Sequence, residues 1–158
     1  MIKAIFILFS IFSFSSADRL VVGNYIRDFA LNDQFGDKIA INSNTKAIIF
    51  AFEKDLGYQI NDFLATKNPT YLANKHTLFV VDISLAPMFV RKMFILSGLK
   101  KHNHKVLILD DKTIASNYKV DGDLKKIVVV SIDSFRVEKI DFLTDIKKLE
   151  SFLNNLKD

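Results

Sequence analysis

Four apolar runs of strand length, separated by polar or helix-periodic segments, limit the folds open to this chain. The runs cover residues 47–52 (AIIFAF), 77–83 (TLFVVDI), 106–109 (VLIL) and 127–132 (IVVVSI). Unbroken apolar runs of this length are typical of strands that are buried on both faces of a sheet. Because such strands need helices above and below them, the runs predict an α/β domain built on a buried central sheet.

The segments that follow the runs have helical periodicity. Helices are predicted at residues 56–67, 88–101, 112–118 and 144–156, the last with Thr144 as its N-cap. Pro87 immediately precedes the second helix, where a first helical turn tolerates proline. The final helix is amphipathic and places five apolar side chains on one face: Ile146, Leu149, Phe152, Leu153 and Leu156.

Strands without an intervening helix complete the pattern at both ends of the chain. The turn-rich residues 32–37 predict a β-hairpin over residues 29–41, and residues 135–140 alternate as a strand near an edge of the sheet. The resulting order is β-hairpin, then β-α-β-α-β-α-β-β-α. Its last hairpin and helix resemble the ending of a thioredoxin-like fold. We therefore expect an α/β, thioredoxin-like fold with a central mixed sheet, helices on both faces and an N-terminal β-hairpin.

The first 17 residues have the pattern of a secretory signal peptide. Lys3 precedes an apolar run at residues 4–14, and Ser15, Ser16 and Ala17 supply small residues before a cleavage site at Asp18. The run is shorter than the roughly 20 residues of a transmembrane helix, so an uncleaved anchor is the weaker alternative. We expect export to the periplasm and a single domain over residues 18–158, with no stable membrane insertion after cleavage.

Two segments resemble a branch of the thioredoxin superfamily. Residues 29–36 (FALNDQFG) resemble the F-x-L-x-D-x-x-G opening of the peroxiredoxin and TlpA-like branch, and residues 109–120 resemble its D…A…Y-x-V segment. The chain is more similar to the YtfJ-like family of small exported bacterial proteins. That resemblance runs from about residue 23 to residue 156, and its most specific part is residues 87–91 (PMFVR). It implies a periplasmic thioredoxin-like domain without an established biochemical role.

The sequence contains no cysteine, which removes the chemistry of redox thioredoxins. Those proteins carry Cys-x-x-Cys after the first long buried strand, where the helix N-terminus lowers the thiol pKa. By spacing, Leu56, Gly57, Tyr58 and Gln59 occupy that motif here. We therefore exclude thiol–disulfide oxidoreductase and peroxidase activity, and we predict no catalytic residue and no cofactor.

The candidate binding residues are Arg91, Phe89, Asp82 and Tyr58. Arg91 lies in the apolar helix, either as a surface side chain paired with Asp82 or as a partner-binding cation. The apolar stripe that contains Phe89 favours burial in the core over an exposed docking face. A concave pocket that gathers Arg91, Asp82 and the loop at residues 53–55 would favour a small ligand. An exposed Phe89 or Tyr58 on a flat face would favour a protein partner.

Metal and nucleic acid are poor candidates for ligands. His102 and His104 form the one close histidine pair, but Lys100, Lys101 and Lys105 surround them and no third ligand is evident. The net charge is only +4, and the lysines are spread along the chain without an arginine-rich stripe. We therefore predict no metal site and no nucleic-acid partner.

These observations favour a redox-inactive interaction or accessory protein over an enzyme. Its partner is expected to be an envelope protein or a peptide. The alternative is a non-thiol enzyme or a small-ligand-binding protein that uses polar residues at the carboxyl edge of the sheet.

Overall fold

The computed structural model describes residues 20–156. The predicted signal peptide, residues 1–17, lies outside these described residues. No helix among residues 20–156 combines the length and apolar character that crossing a membrane requires.

A five-stranded mixed sheet forms the centre of the molecule. The strands are β3 (Ala47–Ala51), β4 (Thr77–Asp82), β5 (Leu107–Leu109), β6 (Ile127–Asp133) and β7 (Arg136–Leu143). They lie in the order β5-β4-β3-β6-β7, with β3, β4 and β5 parallel to one another and β6 and β7 antiparallel to their neighbours. All four apolar runs are strands, and the strand predicted near an edge is the edge strand β7.

The predicted N-terminal hairpin is also present. It consists of β1 (Ala30–Asn32) and β2 (Lys38–Ala40), which pair with each other in a separate two-stranded sheet. Asp33 closes the turn between them because its Oδ1 accepts hydrogen bonds from the backbone N–H groups of Phe35 and Asp37.

Four helical segments lie at the predicted positions, whereas the short helix at residues 71–74 was not predicted. The helices are α1 (Lys54–Ala65), α2 (Tyr71–Asn74), α3 (Met88–Val90), α4 (Leu96–Leu99), α5 (Lys112–Tyr118) and α6 (Ile146–Asn155). A π-helical turn (Arg91–Ile95) joins α3 to α4, and we call the continuous segment the 88–99 helix. The N-cap of α6 is Asp145, whose Oδ1 accepts a hydrogen bond from the Lys148 N–H, so the prediction of Thr144 as N-cap is wrong by one residue.

Alternate residues of each strand feed two core clusters on opposite faces of the sheet. In β3 every residue is buried, with Ile48 and Phe50 in one cluster and Ala47, Ile49 and Ala51 in the other. The first cluster is covered by α5, the hairpin and the chain that precedes it, and the second by α1, α2, the 88–99 helix and α6. Helices therefore cover both faces, as the apolar runs predict.

Candidate functional site

A cavity of about 380 Å³ opens at the carboxyl edge of the sheet. β3 and β4 are neighbouring parallel strands, so α1 and the 88–99 helix both begin near this edge, and the cavity lies between them. Its apolar wall includes Val81, Ile83, Phe94, Ile95 and Leu99. Its polar groups come from Glu53, Lys54, Tyr58, Asp82 and His102.

Two of the four predicted binding residues line this cavity. Tyr58 lies on α1 with 56% of its surface exposed, and Asp82 is the last residue of β4. Arg91 and Phe89 do not line it. The structure thus brings together half of the predicted set, in a concavity rather than on a flat face.

The four positions predicted to replace the redox motif start at the third residue of α1 rather than at its N-terminus. α1 begins at Lys54 with Glu53 as its N-cap, whereas the predicted motif covers residues 56–59. Gly57 and Tyr58 line the cavity, Leu56 packs on the core, and Gln59 is exposed. Helix N-termini stabilise negative charge only within the first turn, so Glu53 and Lys54 occupy the positions with the strongest effect.

The predicted pair between Arg91 and Asp82 does not form. Nη1 of Arg91 donates a hydrogen bond to the backbone carbonyl of Asp110, after β5. Oδ1 of Asp82 accepts a hydrogen bond from the Ser84 N–H at 2.9 Å, and its Oδ2 lies 4.0 Å from Lys119 Nζ. The sequence suggests this pair because Asp82 and Arg91 are close in the chain. It does not show that Asp110, after β5, and Lys119, after α5, lie at the same edge of the sheet and take their places as partners.

The apolar stripe of the 88–99 helix is exposed, so the expectation that it belongs to the core is wrong. Phe89 and Phe94 are 66% and 65% exposed, and Met88 and Met93 are also exposed. Ile95, Leu96 and Leu99 pack on the core in their place. The segment is apolar on two sides, and sequence periodicity alone does not distinguish the side that faces the sheet.

A buried polar pair, Asn61 and His104, lies below the cavity, and the sequence did not predict it. Nδ2 of Asn61 donates to the Gly57 carbonyl at 2.9 Å, which leaves its Oδ1 to accept from Nε2 of His104 at 2.8 Å. His104 is buried, and desolvation, followed by the nearby His102 ring, lowers its pKa to about 4. His104 is therefore neutral at pH 7, and the pair joins α1 to the loop that precedes β5.

The histidine pair has a structural role in this arrangement. The ring centroids of His102 and His104 lie 5.0 Å apart, but one nitrogen of His104 is engaged by Asn61. Residues 20–156 hold no cluster of three or more His, Asp or Glu side chains arranged to bind a metal. The Asn61–His104 pair has one signal in the sequence. Asn61 is a polar residue that follows Ile60 on the buried side of α1, where a polar side chain needs a partner.

A second cavity, of about 420 Å³, lies on the opposite side of the sheet. It is bordered by residues 20–22, Ser116, Lys119, Asp121 and Ile140. None of the predicted site residues lines it. The cavity at the carboxyl edge is therefore the candidate site.

No protein-family model matches the sequence, and no curated protein matches it. Solved structures do match. A peroxidoxin, BcpB, from Mycobacterium tuberculosis is 20% identical, with 87% of this chain and 98% of that chain covered and a TM-score of 0.53. A thio-disulfide isomerase from Thermus thermophilus is 19% identical, with 87% and 99% covered and a TM-score of 0.51. The exposed lipoprotein thioredoxin Etrx1 from Streptococcus pneumoniae is 14% identical, with 81% and 98% covered and a TM-score of 0.53.

At these identities the similarity establishes the fold. The chain has a thioredoxin-like α/β fold with a mixed five-stranded sheet and a two-stranded hairpin. The names of the similar proteins refer to thiol chemistry, whereas this chain contains no cysteine. That composition fits a lack of thiol redox activity.

Proposed function

We propose that this chain is an exported, redox-inactive accessory protein of the YtfJ-like family that binds an envelope protein or peptide. An apolar side chain of the partner occupies the cavity between α1 and the 88–99 helix. The observation that carries the proposal is the cavity itself, whose wall is apolar and whose rim exposes Tyr58 and Phe94. Tyrosine and phenylalanine are residue types that protein interfaces favour, and apolar anchors of a partner commonly fill pockets.

The charges at the cavity support binding over catalysis. The Asp82 carboxylate is engaged by the Ser84 N–H and by Lys119, and His104 is held by Asn61. Glu53 lies at the rim in an exposed position. A general acid–base pair needs two groups with access to the same reacting atom; Asp82 and His104 are engaged within the fold, which leaves Glu53 and His102 as the titratable groups of the cavity that the alternative, catalytic function would use.

A small-molecule ligand is the second candidate. The cavity volume falls within the range of about 300–1,000 Å³ that is usual for small-molecule sites. Its concave shape and its polar rim at Glu53, Lys54 and Asp82 favour such a ligand. Both candidates place the ligand in the same cavity, so one blocking substitution tests them together.

Gly98→Leu should block the cavity without harming the fold. Gly98 lines the cavity, and a Cβ added there meets no atom within 4 Å. A side chain at this position therefore projects into open space. Since glycine costs a helix up to about 1 kcal/mol relative to alanine, the melting temperature should stay level or rise. Thermal unfolding followed by circular dichroism checks this, and a marked fall would show that the cavity does not accept the side chain.

Binding is tested in cells with a photo-crosslinking phenylalanine analogue at Tyr58. The expected result is a crosslink to a discrete envelope protein that disappears when Gly98→Leu is added. The matched control places the analogue at Phe35, which is 58% exposed in the hairpin turn and does not line the cavity. A crosslink that persists in the Gly98→Leu background, or one that Phe35 gives equally, would contradict the proposal.

Native mass spectrometry of the purified protein distinguishes the second candidate. A bound small molecule that is present in the wild type and absent from Gly98→Leu would favour the small-ligand function. In that case no protein crosslink should form at Tyr58. The two functions therefore give different products from the same pair of proteins.

Export gives a separate prediction. If residues 1–17 are a cleaved signal peptide, the periplasmic protein should begin at Asp18, and its intact mass should equal that of residues 18–158. Mass spectrometry of the periplasmic fraction checks this. Recovery of the full-length chain in the membrane fraction alone would instead indicate the uncleaved anchor.

A further inference from the structure

The 88–99 helix and the residues that flank it carry a surface that the proposed function does not use in full. It combines exposed apolar side chains with exposed lysines, and we call it the basic apolar surface. Its members are Leu85, Met88, Phe89, Lys92, Met93, Phe94, Lys100 and Lys101. Only Leu85 and Phe94 of this set also line the cavity.

The π-helical turn gives this surface its shape. A π-turn bonds each residue to the fifth residue along the chain, so residues five apart lie close to one another on the helix surface. Met88 and Met93 are five apart, as are Phe89 and Phe94, whose ring centroids lie 6.1 Å apart in an edge-to-face arrangement. In a regular α-helix such pairs would lie on different sides. The turn therefore gathers four large apolar side chains into one exposed patch.

The charged side chains of the segment that carries this patch all have one sign. Residues 83–109 contain five Lys and Arg residues and no Asp or Glu. Lys92, Lys100 and Lys101 are exposed, and within residues 20–156 none of the three forms an ion pair. The acidic residues that neighbouring elements bring to this edge are Glu53 and Asp82, which line the cavity with Phe94, and Asp110, whose carbonyl accepts the Arg91 hydrogen bond.

We propose that the basic apolar surface adsorbs this protein to an anionic lipid membrane. Large apolar side chains flanked by lysines are typical of helices that lie in the membrane interface, with the apolar side chains below the headgroups. Each lysine near an anionic surface strengthens binding about fivefold. Protein interfaces, by contrast, are depleted in lysine, so the composition favours a lipid surface over a protein partner. Adsorption of this kind needs no membrane-spanning segment.

Vesicle sedimentation tests the proposal with the chain that begins at Asp18. Both core clusters lie within residues 20–156, so this chain retains the described core. We expect it to bind vesicles of phosphatidylglycerol and phosphatidylcholine in equal parts and not to bind vesicles of phosphatidylcholine alone. Raising the ionic strength to about 1 M, where the Debye length is about 3 Å, should release it.

Variants locate the contact on the 88–99 helix. The triple variant Lys92→Gln, Lys100→Gln, Lys101→Gln should weaken binding about a hundredfold, as the product of three fivefold losses. Its matched control removes three exposed lysines elsewhere: Lys38→Gln, Lys147→Gln, Lys148→Gln. Phe89→Ser should weaken binding about tenfold. Phe35→Ser, which changes another exposed phenylalanine in the hairpin turn, should not weaken it. Every substituted position is exposed, so the variants should fold, and circular dichroism checks this.

Three outcomes would overturn the proposal. They are the absence of binding to the anionic vesicles, equal binding to phosphatidylcholine alone, and equal losses in the two triple variants. Gly98→Leu separates this proposal from the proposed function, because it fills the cavity and leaves Phe89 and the three lysines exposed. It should abolish the Tyr58 crosslink and retain vesicle binding. Loss of vesicle binding in that variant would show instead that the cavity, not the basic apolar surface, contacts the lipid.

Discussion

Gly122→Ala should destabilise the folded protein by about 3 kcal/mol. Gly122 has a φ of +149°, a conformation that residues with a side chain rarely adopt. A Cβ at this position would lie 2.6 Å from Cε1 and 2.8 Å from Cε2 of Phe142, and closer still to Cζ. The Phe142 ring packs on a core cluster, so it cannot move away without loss of contacts. Chemical unfolding monitored by circular dichroism gives the change in free energy.

Two further variants separate the causes of this loss. Gly98→Ala is the matched control, because a Cβ there meets no atom within 4 Å and the free energy of unfolding should not fall. The double variant Gly122→Ala, Phe142→Ala removes the steric overlap and retains the backbone strain. It should lose less stability than the sum of the two single losses. Strictly additive losses would show that Gly122 and Phe142 are not in contact.

Acidification should remove about 3 kcal/mol of stability through His104. Burial lowers the pKa of His104 to about 4 in the folded state, compared with about 6.5 in the unfolded chain. Between these two values the unfolded chain binds more protons, so stability decreases as the pH falls from 6.5 towards 4. The full contribution of neutral His104 to the free energy of unfolding is present above about pH 6.5. Urea unfolding at a series of pH values measures it.

His104→Gln tests the assignment of this pH dependence. A glutamine can still donate a hydrogen bond to Asn61 but does not titrate, so the decrease between pH 6.5 and 4 should become smaller by about 3 kcal/mol. His76→Asn is the control, because His76 has a φ of +49°, which asparagine tolerates. The pH series of His104→Gln is compared with that of this control, which also lacks one histidine. If His104→Gln and the wild type showed parallel curves, another group would be responsible.

The strands illustrate what a single sequence can predict. A residue such as Ile48 or Val129 lies in an unbroken apolar run, and a run of that length is buried whichever neighbours the strand acquires. The same holds for α6, where Leu149 and Leu153 share a face at helical spacing and are both buried. Its N-cap was predicted one residue early, because Thr144 and Asp145 are both good capping residues and only the backbone conformation selects one.

The residues of the candidate site could be predicted from the sequence only in part. Tyr58 and Asp82 were predicted as binding residues, and they line one cavity because α1 and β4 meet at the same edge of the sheet. Asn61 was not predicted, although its hydrogen bond orders the buried His104. A polar residue on a buried helix side is recognisable in a sequence, but its partner, 43 positions away, is not.

The sequence by itself determined the order of the strands and of four helical segments, the two-sided burial of the sheet and the absence of cysteine. These properties follow from local periodicity and from residue types, which do not depend on distant contacts. Only the tertiary structure decided which side of the 88–99 helix is exposed and which group Arg91 contacts. The helix is apolar on two sides, so the π-turn and the packing of Leu99 set its rotation. Arg91 reaches the Asp110 carbonyl because β5 lies beside β4, a neighbour relation that arises only when the sheet assembles.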